Sequence, residues 1–288
     1  MSSNRERNDR KPKKTQGFKP RPERGLGAEK RLDRAERFGA EGAASEGGAG
    51  QSDLGPAPGA GALANPARKG MGRLLATQER AEELASGGLN HGHQIEVMDG
   101  PTLARMVPPG AVHQGLVFKV APLEGVTLEE IAEPAEGVIV MLDQITDPQN
   151  VGAVFRSALA FGAKGIVVQD RHSPALAGAL AKAAAGATER LPCVRATNLS
   201  RALERLGDLG WRAVGMDGSA EMTLDAALDA RPTVIVMGSE GDGIRRLVAE
   251  HCEVLAKIPM PGGFESLNVS NAAAIALYEA TRAQKRHG

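Results

Sequence analysis

From Gly137 onward, short apolar runs alternate with longer amphipathic stretches. The runs GVIVMLDQI, GIVVQD, WRAVGMD, TVIVMGSEG and VLAKIPM are nearly continuous in Val, Ile, Leu and Met, which predicts strands buried on both faces and hence a parallel sheet covered by helices on each side. Between them lie helical patterns. In DPQNVGAVFRSALAFGA, Asp147 sits at the N-cap position and Pro148 at the first helical position. The apolar stripe Val151, Val154, Phe155, Ala158 and Leu159 leaves Arg156 on the opposite side. An Ala-rich helix is predicted over Pro174 to Thr188, followed by helices in NLSRALERLGDLG and IRRLVAEHC. The last helix, in SLNVSNAAAIALYEATR, turns Val269, Ala272, Ala273, Ala276 and Ala280 inward. These small residues allow backbone or a ligand to come close.

Upstream the pattern is less regular. Residues 54–122 read as a small α/β domain: a helix in ATQERAEELASGG, a strand in HQIEVMDG, a short helix around Thr102 to Met106, and a turn and strand in GAVHQGLVFKVAPL. Residues 123–136 read as a linker and 137–288 as the larger domain. Residues 1–53 show no apolar periodicity and end in the Gly/Ala/Ser-rich tract EGAASEGGAGQSD, a composition that cannot bury enough surface to fold.

The 288-residue chain has zero formal net charge, but the charge is unevenly spread. Residues 1–37 hold 13 Lys or Arg against 6 Asp or Glu, and the remainder holds 22 against 29. A basic arm of this kind points to a polyanion, with a merely solvated tail as the plainer reading. The two cysteines, Cys193 and Cys252, lie far apart and outside any His/Cys cluster of metal-ligand spacing, so they read as buried thiols, and no metal is expected. Without an apolar run of membrane length or a secretory pattern, the expected setting is cytoplasmic. One Trp and one Tyr argue against aromatic platforms as the main grip on a nucleic acid.

In a parallel sheet, ligands bind beyond the carboxyl ends of the strands, where DQITDPQN, GSEGDG and IPMPGG all fall. GSEGDG invites a phosphate-loop reading, yet it lacks the lysine of a P-loop and does not match GxGxxG. Glu240 at its centre is either a helix-capping carboxylate or a proton acceptor and hydroxyl holder. Arg156, with Asn150 in the first turn of the same helix, is either a solvated charge or a phosphate grip. His113 reads as a turn histidine; His91 and His93 lack a third ligand.

Taken in order, DPQNVGAVFRSALAFGA, GSEGDGIR with its following IPM, and SLNVSNAAAIALYEA resemble the three motifs of the SpoU (TrmH-type) RNA ribose 2′-O-methyltransferases. The resemblance covers residues 137–288. GAVHQGLVFKV further resembles the end of the small domain that presents RNA in the RlmB-like branch, while GPAPGAGALANPARKGMGRLLATQ resembles its start in degraded form. The resemblance implies an α/β fold whose parallel sheet carries a C-terminal trefoil knot, preceded by a small α/β ribosomal-protein-like RNA-binding domain. It implies S-adenosylmethionine as cofactor, contacted at Gly238, Ile258 and Leu267, and a catalytic set of Asn150, Arg156, Glu240, Ser266 and Asn268. It also implies a homodimer with the site completed across the interface. Asn271 stands where the family carries valine.

The activity so implied is methylation of a ribose 2′-hydroxyl in large-subunit (23S) rRNA, of a guanosine by analogy with the branch. Proton removal falls either to Arg156 aided by an RNA phosphate or, with Arg156 as a phosphate clamp, to Glu240 or a water; an arginine holds its own proton in almost any setting. Two other readings stay open: a tRNA ribose methyltransferase of the same family, and a non-catalytic RNA-binding or ribosome-assembly protein. The joint presence of Asn150, Arg156, Glu240 and Asn268 counts against the latter.

Overall fold

The computed structural model describes residues 58–107, 113–120, 123, 125–262 and 266–287. The basic arm and the Gly/Ala-rich tract expected over 1–53 lie outside these residues. In chain order the part read as a small domain comprises α1 (Pro58–Ala64), β1 (Arg73–Ala76), α2 (Gln78–Ser86), β2 (Ile95–Val97), α3 (Gly100–Arg105) and β3 (Leu116–Lys119). The remainder comprises α4 (Leu128–Ala132), β4 (Val138–Leu142), α5 (Pro148–Ala160), β5 (Gly165–Gln169), α6 (Gly178–Ala184), β6 (Cys193–Ala196), α7 (Leu199–Asp208), β7 (Arg212–Met216), α8 (Leu224–Ala227), β8 (Thr233–Met237), α9 (Arg246–Ala249), β9 (Val254–Ala256) and α10 (Val269–His287).

The larger sheet has six parallel strands in the order β6-β5-β4-β8-β7-β9. Successive residues of its central strands feed opposite faces, as a period of two requires. Val138, Val140, Leu142, Ile166, Val168, Ile235 and Met237 pack under α5, α6, α8 and α10. Ile139, Met141, Val167, Val234 and Val236 pack under α4, α7 and α9. All five residues of β4 and of β8 are buried, which is why the runs lack polar alternation. No helix among the described residues is long and apolar enough to cross a membrane.

Helix α5 begins as its sequence predicts: the Asp147 carboxylate accepts from Gln149 N at 3.3 Å and Asn150 N at 3.0 Å, and Pro148 follows. Val151, Val154, Phe155 and Ala158 are buried, Leu159 packs at the edge, and Arg156 is exposed. The Ala-rich helix is shorter than predicted. It stops at Ala184 because Ala185 and Gly186 turn left-handed, with φ of 49° and 83°, and a 3-10 turn at Ala187–Glu189 completes the segment. The helix read in IRRLVAEHC is likewise only the four residues of α9.

The segment read as a linker, 123–136, carries α4, with Thr127 and Glu130 forming a reciprocal capping box. Ile131 and Ala132 are buried beneath the sheet, and Trp211 Nε1 donates to Ala132 O at 2.9 Å, so this stretch belongs to the larger domain's core. In the small domain β1 was not anticipated, yet it is the central strand, parallel to β2 and antiparallel to β3. The seemingly degraded segment before it forms α1, whose Ala62 and Leu63 join the small core.

After β9, at one edge of the sheet, the chain returns to its middle and enters α10. The stripe Val269, Ala273, Ala276, Leu277 and Ala280 is buried there against α5 and the sheet, and Ala272 is partly buried beside it. Helices α5 and α6 approach more closely still at Gly152, where a methyl group would lie 2.5 Å from Leu180 O and 2.6 Å from Ala183 Cβ. Gly152→Ala should therefore destabilise the protein by about 1–3 kcal/mol through overpacking. Urea unfolding should show this as a lower midpoint at unchanged slope.

Candidate active site

Four loops at the carboxyl edge of the sheet enclose a cavity of about 750 Å³. They are the exits of β7, β8 and β9 and the segment that leads into α10. The exit of β4, through the first turn of α5, brings Asn150 alongside by its bond to Asn268.

The turn after β8 closes on itself. Ser239 N donates to Gly243 O at 3.1 Å and Gly243 N to Ser239 O at 3.0 Å, and Gly241 and Gly243 supply the left-handed backbone at φ 95° and 67°. Gly238 is required for the same closure, since a methyl there would lie 2.1 Å from the carbonyl carbon of Gly243. Two backbone N–H groups of the turn are thus consumed internally, unlike an open phosphate cradle. Glu240 stands exposed at the tip of the turn.

Glu240 Oε1 accepts from Asn268 Nδ2 at 3.0 Å and from Val269 N at 3.2 Å, capping the start of α10. Asn268 Nδ2 also donates to Asn150 Oδ1 at 2.8 Å. Asn268 Oδ1 accepts from Ser270 N at 2.9 Å and Ser270 Oγ at 2.6 Å. The Asn268 amide is thereby satisfied on both ends and held in one orientation. Among the described residues, Asn150 Nδ2 and Glu240 Oε2 have no hydrogen-bond partner, which leaves one donor and one acceptor open to a ligand.

Of the sequence-predicted residues, Gly238, Ile258 and Leu267 all line the cavity, as do Glu240, Ser266 and Asn268. Asn150 joins them through Asn268. Arg156 does not: it is exposed, lies six residues beyond Asn150 on α5, and makes no hydrogen bond or ion pair among the described residues. His113 forms the expected turn, its Nδ1 accepting from Gly115 N at 3.1 Å. His93 is buried edge-on against Phe118 with no partner for Nε2, and no group of three or more potential metal ligands exists among the described residues. Burial pushes the Cys193 thiol up to about 11, Arg195 partly opposing the effect. Burial, reinforced by the nearby Asp143 charge, pushes Cys252 up to about 12, so neither thiol is a ready nucleophile.

Sequence reasoning passed over two sets of residues. Met216, Asp217, Gly218 and Ser219 form one wall of the cavity, and Asp217 Oδ1 fixes that turn by accepting from Ser219 N at 2.8 Å and Ser219 Oγ at 2.7 Å. The signal was an acid closing the strand WRAVGMD. Asp143, fully buried at the end of β4, accepts from Arg245 N at 2.9 Å and from Arg245 Nε at 2.8 Å, and Arg245 Nη2 lies 2.7 Å from its Oδ1 as an ion pair. Through these bonds it anchors the far end of the Glu240 turn to the strand that leads into Asn150, and its signal was likewise an acid ending an all-apolar run.

A parallel α/β sheet with a loop-walled cavity at its carboxyl edge and a bonded polar trio at the rim defines a protein of the ligand-binding α/β class. Residues 137–278 match the model of the SpoU rRNA Methylase family. An uncharacterized tRNA/rRNA methyltransferase from Mycolicibacterium smegmatis is 39% identical over 212 residues, which cover 72% of this chain and 67% of that protein. The 23S rRNA (guanosine-2′-O-)-methyltransferase RlmB of Pseudomonas aeruginosa is 46% identical over 177 residues, covering 59% of this chain and 71% of that one. Among solved structures, the SpoU methyltransferase AviRb from Streptomyces viridochromogenes aligns with a TM-score of 0.68 at 25% identity, covering 88% of this chain and 93% of that one. Its complex with AdoMet aligns at 0.67 and 24%, covering 82% and 91%, a likeness of fold. The chain belongs to the SpoU rRNA methylase family and is a methyltransferase that acts on RNA.

Asp143→Ala should cost about 1–3 kcal/mol, because the backbone N–H of Arg245 loses its acceptor while the guanidinium, 39% exposed, turns to water. A stability measurement by chemical denaturation checks this. A destabilisation below about 0.5 kcal/mol would show that the turn holds without the anchor.

Proposed function

We propose that this protein transfers a methyl group from S-adenosylmethionine to a ribose 2′-hydroxyl of 23S rRNA, on a guanosine. The observation that carries the proposal is the bonded trio Asn150, Glu240 and Asn268, beside the cavity that Gly238, Ile258 and Leu267 line. The resemblance of the RlmB relative supports the rRNA guanosine as target.

The cavity suits the cofactor's chemistry. Its walls combine apolar side chains, among them Met237, Ile258 and Leu267, with backbone of the closed glycine turn and the carboxylates Asp217, Glu240 and Asp242, a setting for a cationic nucleoside. When bound, that group supplies a methyl carried on a sulfonium. The chain's own residues then do the positioning: Gly238, Ile258 and Leu267 hold the donor, while Ser266 and the free Nδ2 of Asn150 orient the incoming ribose. Orientation of two reactants is worth of order 7–11 kcal/mol in favourable cases. The unpartnered Oε2 of Glu240 accepts the hydroxyl proton, directly or through water, and Arg156 clamps an RNA phosphate. Its lack of a partner among the described residues supports this role, as does its permanent charge.

The return of the chain from β9 at the sheet edge to α10 at its centre supports a trefoil knot in the C-terminal part. A homodimer is our reading of the quaternary state, supported by the half-exposed Ile275 and Tyr278 on the outer side of α10. The small three-stranded domain presents the RNA, aided by the basic arm, and the work is done in the cytoplasm.

Incubation with labelled S-adenosylmethionine and total RNA from cells lacking the protein should label large-subunit rRNA at one site resistant to alkaline cleavage. Label in tRNA instead would move the target to that class, and absence of transfer with cofactor binding intact would favour a binding protein. Arg156→Lys should keep part of the RNA affinity and lose about 10²-fold in turnover; near-normal turnover would remove Arg156 from the mechanism. Deleting residues 1–53 should flatten the dependence of log affinity on log salt, by roughly 0.7 for each single-stranded RNA phosphate that the arm neutralises in the intact chain.

A further inference from the structure

Asn65 and Arg68 stand just after α1, ahead of the small sheet, and both reach a residue more than 120 positions away. Arg68 Nε lies 2.6 Å from Glu189 Oε2 and Arg68 Nη2 lies 2.8 Å from Glu189 Oε1, a two-pronged pair whose side chains are 8% and 10% exposed. Asn65 Nδ2 donates to Glu189 Oε2 and to Glu189 O, each at 3.0 Å. Asn65 Oδ1 accepts from Ala67 N at 3.0 Å, so the same amide shapes the turn that aims Arg68. Beside them the two backbones touch: a methyl at Gly61 would lie 2.9 Å from Gly186 Cα.

Each end of this contact is built into a different core. Ala62 and Leu63 pack with Leu74 and Phe118 of the small sheet. Glu189 closes the turn after α6, and α6 meets α5 at the Gly152 contact, where no side chain fits between them. Helix α5 carries Asn150. A continuous series of close contacts thus runs from the small sheet to the catalytic trio.

We propose that Asn65, Arg68 and Glu189 form a lock that holds the small domain at one orientation to the active site and thereby selects which nucleotide reaches it. The inference rests on the RNA ribose methyltransferase reading given above. A two-pronged Arg–carboxylate pair constrains direction as well as distance. Such a pair, when buried, adds little stability over apolar residues of similar volume, so its contribution lies in geometry. The three residues are positioning residues; none of them lines the cavity.

The test uses the full chain carrying Arg68→Met, Arg68→Lys or Glu189→Gln, assayed on 23S rRNA for kcat, KM and the position of the methyl group. Arg68→Met and Glu189→Gln should leave affinity for S-adenosylmethionine within about twofold. They should raise KM for rRNA at least about tenfold or spread the methyl over neighbouring nucleotides. Arg68→Lys, which keeps the charge and removes the fork, should recover the KM only in part. Unchanged rRNA kinetics and a single unchanged methylation site in both Arg68→Met and Glu189→Gln would overturn the lock. So would equal falls in cofactor and rRNA affinity, which report general unfolding. If the wild-type chain methylates no RNA, the functional reading fails first. The lock is then judged by deuterium exchange: Arg68→Met should speed exchange across 61–68 at least about tenfold with β4 unchanged, and unchanged protection would overturn it.

Discussion

The amide of Asn268 is the point on which the site depends. One nitrogen bonds to both Asn150 and Glu240, and one oxygen takes two bonds from Ser270, so the start of α10 is tied at once to α5 and to the turn after β8. These three pieces come from distant parts of the chain. They meet because α10 buries a stripe of alanines against α5, and a larger residue at Ala273 or Ala276 would push the helix, and Asn268 with it, away from its partners. Glu240 has two roles in consequence. Through Oε1 it caps a helix, and through Oε2 it remains an acceptor, so the structural and the chemical readings of this residue describe different oxygens of one carboxylate.

Much of this was legible in the chain, and the reason is locality. Strands buried on both faces announce themselves by unbroken Val and Ile, and the start of α5 by Asp147 and Pro148, because each depends on neighbours within a few residues. Gly238, Ile258 and Leu267 were assigned to one ligand by resemblance, and they do line one cavity. The glycines of GSEGDG were legible as a tight turn, whereas their use in closing that turn on itself was not, since the pairing of Ser239 with Gly243 competes with any ligand for the same N–H groups.

What escaped the sequence falls into two kinds. Some of it carried a local sign: Thr127 and Glu130 spell a capping box inside the supposed linker, and α4 follows from it. Strand β1, the four residues RLLA set behind Gly70 and Gly72, shows no polar alternation, its last three residues being buried, and it becomes central only because β2 and β3 both pair with it. The rest had no local sign. Asp143 acquires meaning from Arg245, and Arg68 from Glu189, and neither pairing is implied by spacing.

Those two ion pairs share a logic that separates them from the surface pairs of the molecule. Arg246 with Glu250, or Arg282 with Glu279, join neighbours on one helix, and screening leaves them little to contribute. Asp143 with Arg245 and Glu189 with Arg68 instead join segments that the hydrophobic core alone would leave free to slide, because apolar contact is non-directional. In each case the carboxylate is buried at a strand or turn end and receives backbone or amide donors besides the guanidinium, so only one relative placement satisfies every bond. The core decides that the sheet and its helices form; these directional contacts decide at what angle the turn of Glu240 and the small domain meet them. A transfer reaction between two separately bound reactants depends on that second decision, since a displacement of about 1 Å at the reacting atoms can cost about 10²-fold in rate while leaving the fold intact.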